Sequence, residues 1–190
     1  SAAWIADAST NFDAGARFYI DPRGVEVPPL DAPTYSAVSG TNVPGSYGMT
    51  SASTYLWTPG DVFSVDLLYK STSGTSVNSE FFYCYGAGYT ILLRQTSGGS
   101  YNLVLTGAST VTLSGGAAGA VQRVGFSFIA GGECKLYLDG ALVDTDTAPA
   151  MTTRPYYLSL NYNAKSTLHY ARIYDGFTAS AANFASNFDH

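Results

Sequence analysis

A chain of 190 residues carrying 12% charged residues and a net charge of −5 is sized for one domain with a sizeable core. The negative balance, with no Lys/Arg cluster to offset it, excludes binding to bulk nucleic acid. No apolar run approaches the roughly 20 residues of a membrane-spanning helix, so membrane insertion is not expected. Gly, Ser, Thr and 15 Tyr take the place of the missing charge, a composition that favours strands and turns over surface helices.

Residues 1–46 read as an irregular N-terminal arm. Phe12 and Phe18-Tyr19-Ile20 suggest one or two short strands. Four prolines between Asp21 and Pro33 then remove ladder donors and fix φ, so residues 21–34 are expected to be a loop or an extended arm that docks on a partner. Ser1 is a start that a trimmed initiator methionine, a cleaved signal or an artificial boundary would each leave.

Strand signals become dense from residue 47 onward. Tyr47–Thr50 reads as a short strand. After the turn Thr58-Pro59-Gly60-Asp61 comes a strong strand, Val62–Lys70, with Phe63, Val65, Leu67 and Tyr69 on one face. Ser71–Asn78 is a loop. Glu80–Tyr85 and Tyr89–Gln95 form a hairpin around Gly86-Ala87-Gly88, and Tyr101–Thr106 and Thr110–Leu113 follow. Residues 121–147 are the best-marked stretch. Val124, Phe126 and Phe128 alternate with small or polar residues, Ala130-Gly131-Gly132 breaks the run, and Cys134, Leu136 and Leu138 alternate again. Asp139-Gly140 then leads into Ala141–Thr145. An Asp-Gly pair between alternating apolar runs is a strong hairpin signal, because both central residues need positive φ. Tyr156–Asn161 and Thr167–Tyr174 complete the strands. Ala179–Phe188 is the helical candidate, capped by Ser180, with Phe184 and Phe188 one turn apart. Strands at such intervals, separated by Gly/Ser turns, mean an all-β sandwich.

The order of these pieces resembles the concanavalin A-like lectin/glucanase superfamily, its laminin-G-like branch in particular. The matching stretches are Thr58–Lys70 (TPGDVFSVDLLYK), Arg123–Thr145 with its YLDG turn, and Leu168–Phe188 with RIYDG and a trailing helix. The resemblance covers residues 47–188. It implies a jelly-roll sandwich of two antiparallel sheets, residues 47–190, with a short C-terminal helix. Members are commonly glycan-binding, adhesive or structural, and some are glycosidases or polysaccharide lyases.

Catalytic signals are sparse. A retaining glycosidase needs two carboxylates about 5.5 Å apart, and this superfamily's enzymes are expected to set several acids on one strand. Here only Asp144 and Asp146 share a strand face, with Cα atoms about 6.6 Å apart. They read as solvated residues on the outer face of a hairpin, with a weak cation site as the alternative. A lyase would need a base and a group to neutralise a uronate, for which His169, Arg94, Gln95 and the tyrosines are candidates. His169 alternates with Ala171 and Ile173 and reads instead as a histidine near the sheet interior. Cys84 and Cys134 fall inside strands, as buried thiols or as one inter-strand disulfide. No catalytic residue, metal or cofactor is expected.

Binding surfaces remain. Tyr83, Tyr85, Tyr89 and Tyr101 come from neighbouring strands and turns, and Tyr156, Tyr157 and Tyr162 from another region. Tyrosine joins an apolar body to a polar tip, suited to stacking on sugar rings. Asn161-Tyr162-Asn163-Ala164-Lys165 combines an aromatic, two amides and a cation, so Tyr162, Asn161, Asn163 and Lys165, with Tyr85 and Tyr89, are the candidate ligand-binding residues. The expected function is a non-catalytic structural or adhesive β-sandwich on an assembled particle, such as a phage head decoration or tail protein. It would be oligomeric or docked on protein partners, on a virion surface. The alternative is an extracellular, secreted carbohydrate-binding module with glycan partners; a polysaccharide lyase or glycoside hydrolase ranks third.

Overall fold

The computed structural model describes residues 16–21, 25–27, 53–71, 79–117, 121–162, 166–176 and 178–186. In chain order the strands are β1 (Ala16–Asp21), β2 (Val25–Val27), β3 (Ser53–Leu56), β4 (Val62–Ser71), β5 (Ser79–Tyr85), β6 (Thr90–Gln95), β7 (Tyr101–Thr106) and β8 (Thr110–Gly115). They continue as β9 (Val121–Ile129), β10 (Glu133–Leu138), β11 (Ala141–Thr147), β12 (Tyr157–Leu160) and β13 (Ser166–Asp175), followed by one helix, α1 (Ala181–Ser186).

These strands form two antiparallel sheets. One has seven strands in the order β11-β10-β9-β4-β13-β1-β2, the other six in the order β3-β12-β5-β6-β7-β8. The chain changes sheet at β2/β3, β3/β4, β4/β5, β8/β9, β11/β12 and β12/β13, so the expected jelly-roll sandwich with a short C-terminal helix is present. Side chains of successive strand residues leave opposite faces, and the inward set makes the core. Phe63, Val65, Leu67 and Tyr69 are all fully buried, as the alternation predicts. Trp57 meets Phe63 and Phe82 edge to face at 5.4 and 6.2 Å. The meander of β9, β10 and β11 forms as read, and Asp139 and Gly140 take φ of +50° and +80° at its hairpin. Asp139 also holds the turn onto β9, its Oδ1 accepting the Arg123 N–H at 3.0 Å.

The pairs β1/β13, β4/β13, β5/β6 and β10/β11 each carry a register slip. In β5 the register slips between Glu80 and Phe82, so Phe81 and Phe82 both enter the core and Phe81 stacks on Tyr69 at 4.0 Å. In β13 the register slips between Leu168 and Tyr170. That bulge puts Leu168 in the core with Ala171 and Ile173, so the spacing that read His169 as inward does not hold across it; the His169 side chain lies outside the described set. In the N-terminal segment, the strand near Phe18–Ile20 is β1, which pairs with β13. Val25–Val27 is a strand within the expected loop, and it forms the edge of its sheet. An edge is where a strand bracketed by Pro22 and Pro28 can sit, because one side needs no donors. The expected strand Tyr47–Thr50 and most of the proposed docking arm lie outside the described residues, and β3 is an additional strand.

The outer face of the seven-stranded sheet carries a second, smaller core under α1. Phe184 packs on Tyr137 at 4.5 Å, with Tyr174 and Ala179 completing the cluster. Beneath it Arg123 grips Asp66 with two bonds of 2.7 Å, Nε to Oδ1 and Nη2 to Oδ2, both side chains being buried. Arg123 Nη1 also donates to the Phe184 carbonyl. No described helix is long and apolar enough to cross a membrane.

Candidate functional site

The tyrosines on and beside β5, β6, β7 and β12 divide into two sets, one directed inward and one outward. Tyr89 and Tyr101 turn inward and are 1% exposed. Tyr89 donates its hydroxyl to the Pro149 carbonyl at 3.0 Å, and burial pushes its phenol up to about 12. Tyr101 donates to Gln122 Oε1. Tyr89, expected among the ligand-binding residues, is therefore a core residue: it follows the Gly88 turn with its ring directed against Phe128.

The outward set is brought together by the pairing of β5 with β12. Tyr85 stands opposite Tyr157 and Tyr83 opposite Ser159, and directly paired residues share a face. Tyr83 and Tyr85 stack at 4.7 Å with planes 20° apart. Tyr162 meets Tyr83 edge-on at 5.4 Å, Tyr157 lies 5.4 Å from Tyr85, and Tyr156 lies 4.5 Å from Tyr157. The result is a continuous row, Tyr162-Tyr83-Tyr85-Tyr157-Tyr156, across the outer face of the six-stranded sheet. Its end members are 50% and 44% exposed, and Leu56, opposite Tyr157 on the edge strand, is 55% exposed.

Backbone geometry places the two ends. Asn161 is buried at 1%, takes φ of +51° and donates its N–H to the Phe81 carbonyl at 2.8 Å. It belongs to the turn rather than to the exposed surface, a conformation asparagine tolerates better than most residues, and it turns Tyr162 outward. At the other end the Tyr156 ring lies against Gly86, where an added Cβ would come within 2.7 Å of Cε1. Asn163 and Lys165 lie outside the described residues. Tyr83 is pushed up from the ordinary tyrosine value, by burial first and then by Tyr162, Glu80 and Tyr85. A negative charge is unwelcome there.

The remaining candidates do not assemble. Arg94 pairs with Glu80 and Asn102 on the outer face, whereas Gln95 pairs with Tyr101 and is buried, so adjacent residues of one strand point apart. Asp144 and Asp146 are not on the outer face as expected. They pair with the core residues Leu136 and Cys134, which sets them on the inward side of an edge strand, at the rim between the sheets. Asp144 Oδ2 accepts the Ser114 N–H of β8 at 2.8 Å, joining the edges of the two sheets, and Asp146 Oδ1 accepts its neighbour's N–H at 2.7 Å. Inward charges of this kind blunt an edge against further pairing. Among the described residues no group of three or more His, Cys, Asp or Glu could hold a metal ion. Cys84 and Cys134 are both free and buried, on different sheets. A concavity of about 390 Å³ beside α1 contains the Lys135–Glu133 pair, 2.5 Å apart, with Tyr137 and Leu142.

Nothing in the order of residues showed that the two groups of tyrosines meet. The alternation Tyr83/Tyr85 was legible, but β5 and β12 are far apart in the chain, and only their pairing joins the groups.

No protein-family model and no curated protein matches the sequence. Solved structures do match the fold. The botulinum neurotoxin serotype D binding domain superposes with a TM-score of 0.70 at 11% identity, over 92% of this chain and 51% of that one. The serotype D ligand binding domain in complex with N-acetylneuraminic acid gives 0.68 at 11% identity, over 92% and 50%. Botulinum neurotoxin type C, a toxin dependent upon interaction with two ganglioside molecules to get into cells, gives 0.59 at 11% identity, over 73% and 39%. The chain thus spans about half or less of the length of these domains. The likeness is one of fold.

Proposed function

We propose that this chain is a non-catalytic, carbohydrate-binding β-sandwich of the concanavalin A-like, laminin-G-like kind, with the outward tyrosine row as its ligand surface. The row carries the reading: five rings in continuous contact, exposed at both ends, on a sheet face that no other described element covers. A monomeric soluble domain seldom leaves a large aromatic patch open without a use for it, and tyrosine suits hydroxyl-rich ligands. Binding domains of toxins with the same fold, one of them holding N-acetylneuraminic acid, support a role in binding rather than catalysis. So does the position of Asp144 and Asp146: both oxygens of Asp144 and Oδ1 of Asp146 accept backbone N–H groups. A glycan array probed with the purified chain should give a reproducible hit that disappears in Tyr162→Ala while thermal unfolding is unchanged. A hit that survives the substitution, or release of reducing ends or unsaturated uronates from the bound glycan, would count against it.

A second reading is the structural or adhesive protein of an assembled particle, oligomeric and on a virion surface. Exposed Leu56 on the edge strand beside the row favours it, because an apolar edge is protected by a neighbour in an assembly. Loss of particle attachment in Leu56→Lys, with sugar binding intact, would support that role; attachment without change would remove it.

A further inference from the structure

We infer that the tyrosine row takes an extended, uncharged glycan, laid along β5 and β12 from Tyr162 to Tyr156, and not a single terminal acidic sugar. This rests on the carbohydrate-binding reading above.

The geometry within the row separates two kinds of contact. Tyr83 and Tyr85 are two residues apart on one strand and stack with planes 20° apart. Their stacking direction runs along β5, so the rings stand on edge to the sheet. Their faces are spent on each other, which leaves edges and hydroxyls for a ligand. Tyr157 continues this arrangement, its plane tilted 32° from Tyr85. Tyr162 and Tyr156, with one ring neighbour each in the row and about half of their surface open, keep ring area available for the apolar face of a sugar. The site is therefore two stacking positions separated by a line of phenols that both donate and accept hydrogen bonds. One sugar can cover one end. A chain of sugars covers both and meets the phenols between.

Electrostatics along the row favour a neutral ligand over an acidic one. The Tyr83 phenol resists ionisation because it is partly buried and faces Glu80 and two further phenols. A carboxylate or sulfate placed over it meets the same penalty, since removing water from an anion without a cationic partner is costly. Arg94 lies on the same face, opposite Glu80 in the pairing of β5 with β6. Neutral hydroxyls meet no such penalty.

Calorimetric titration of the purified chain tests this with two probe sets: the series from glucose to cellohexaose together with the matching manno-oligosaccharides, and the acidic probes sialyllactose and oligogalacturonate. For one neutral series affinity should rise with length before levelling off, and it should change little between low and high salt. Tyr156→Ala and Tyr162→Ala should each weaken the longest member about tenfold. Tyr85→Phe keeps the ring and removes one hydroxyl; it should weaken binding by a smaller factor with the fold intact. Tighter binding of sialyllactose or oligogalacturonate than of any neutral chain would overturn this inference and leave the carbohydrate-binding reading standing. So would an affinity already complete at one sugar. Failure of every neutral and acidic probe, and of the glycan array, would overturn both.

Discussion

Asp66 and Arg123 show what a single side chain can decide. Their forked pair is sealed beneath α1, with exposures of 0% and 2%. Both charges have left water, so the net worth of the pair against a hydrophobic replacement is small, while breaking it leaves one charge stranded. Asp66→Ala should cost about 3–5 kcal/mol, measured as a fall in the urea midpoint. Replacing both partners with apolar residues of similar volume should restore most of that. A cost for Asp66→Ala below about 1 kcal/mol would place the guanidinium in contact with water. At this scale the sequence was only partly legible. Arg123 and Asp66 are 57 residues apart, and nothing in their local surroundings announces a partner. Tyr89 and Tyr162 illustrate the same limit. Tyr89 follows the Gly86-Ala87-Gly88 turn and Tyr162 lies in the turn after β12, yet one is 1% and the other 50% exposed, because the pairing partners of the adjoining strands determine which face each occupies.

Among the elements, α1 has too few residues to be stable alone and is held by what it covers. The contact between Phe184 and Gly125 is the tightest part of that docking: a Cβ at Gly125 would come within 2.3 Å of the Phe184 ring. Gly125→Ala should therefore displace the helix and destabilise the protein by about 1–3 kcal/mol. In a Phe184→Ala background the same change should be close to neutral, since the obstructing ring is gone; a double-mutant cycle reads the coupling directly. Additive effects would show that the helix does not rest on Gly125. The element-level reading of the chain succeeded where periodicity was clean. Val62–Lys70 became β4, Tyr101–Thr106 became β7 with the same limits, and the Asp139-Gly140 turn adopted the positive φ pair it needs. It failed at bulges. One extra residue near Phe81 and another near His169 reverse the facing of what precedes them, and a bulge has no marker in composition when no glycine carries it.

For the molecule as a whole, burial of phenols and thiols makes alkaline stability a test of the core. Burial raises Tyr89 from 10.0 to about 12 and pushes Tyr101 further in the same direction. The thiol of Cys134 is pushed up to about 12, by burial and then by the charge of Asp146. In each case the fold favours the protonated, neutral form. The stability this contributes is complete below the unfolded-state value and is lost as pH rises through the folded one. Unfolding should therefore set in between about pH 10 and 12. Absorbance of phenolate should rise in two stages, with the core tyrosines Tyr89 and Tyr101 ionising late, together with loss of circular dichroism. A single smooth titration near pH 10 with the fold intact would contradict the burial of Tyr89 and Tyr101. The order of residues by itself determined the class of fold, the positions of most strands and the composition of the core, because a period of two and the demands of tight turns are local properties. Only the tertiary structure decided which strands neighbour one another. That choice joined Tyr83 and Tyr85 to Tyr156, Tyr157 and Tyr162, buried Tyr89 and Asn161, and moved Asp144 and Asp146 to the rim, because faces and partners in a sandwich depend on pairings between distant parts of the chain.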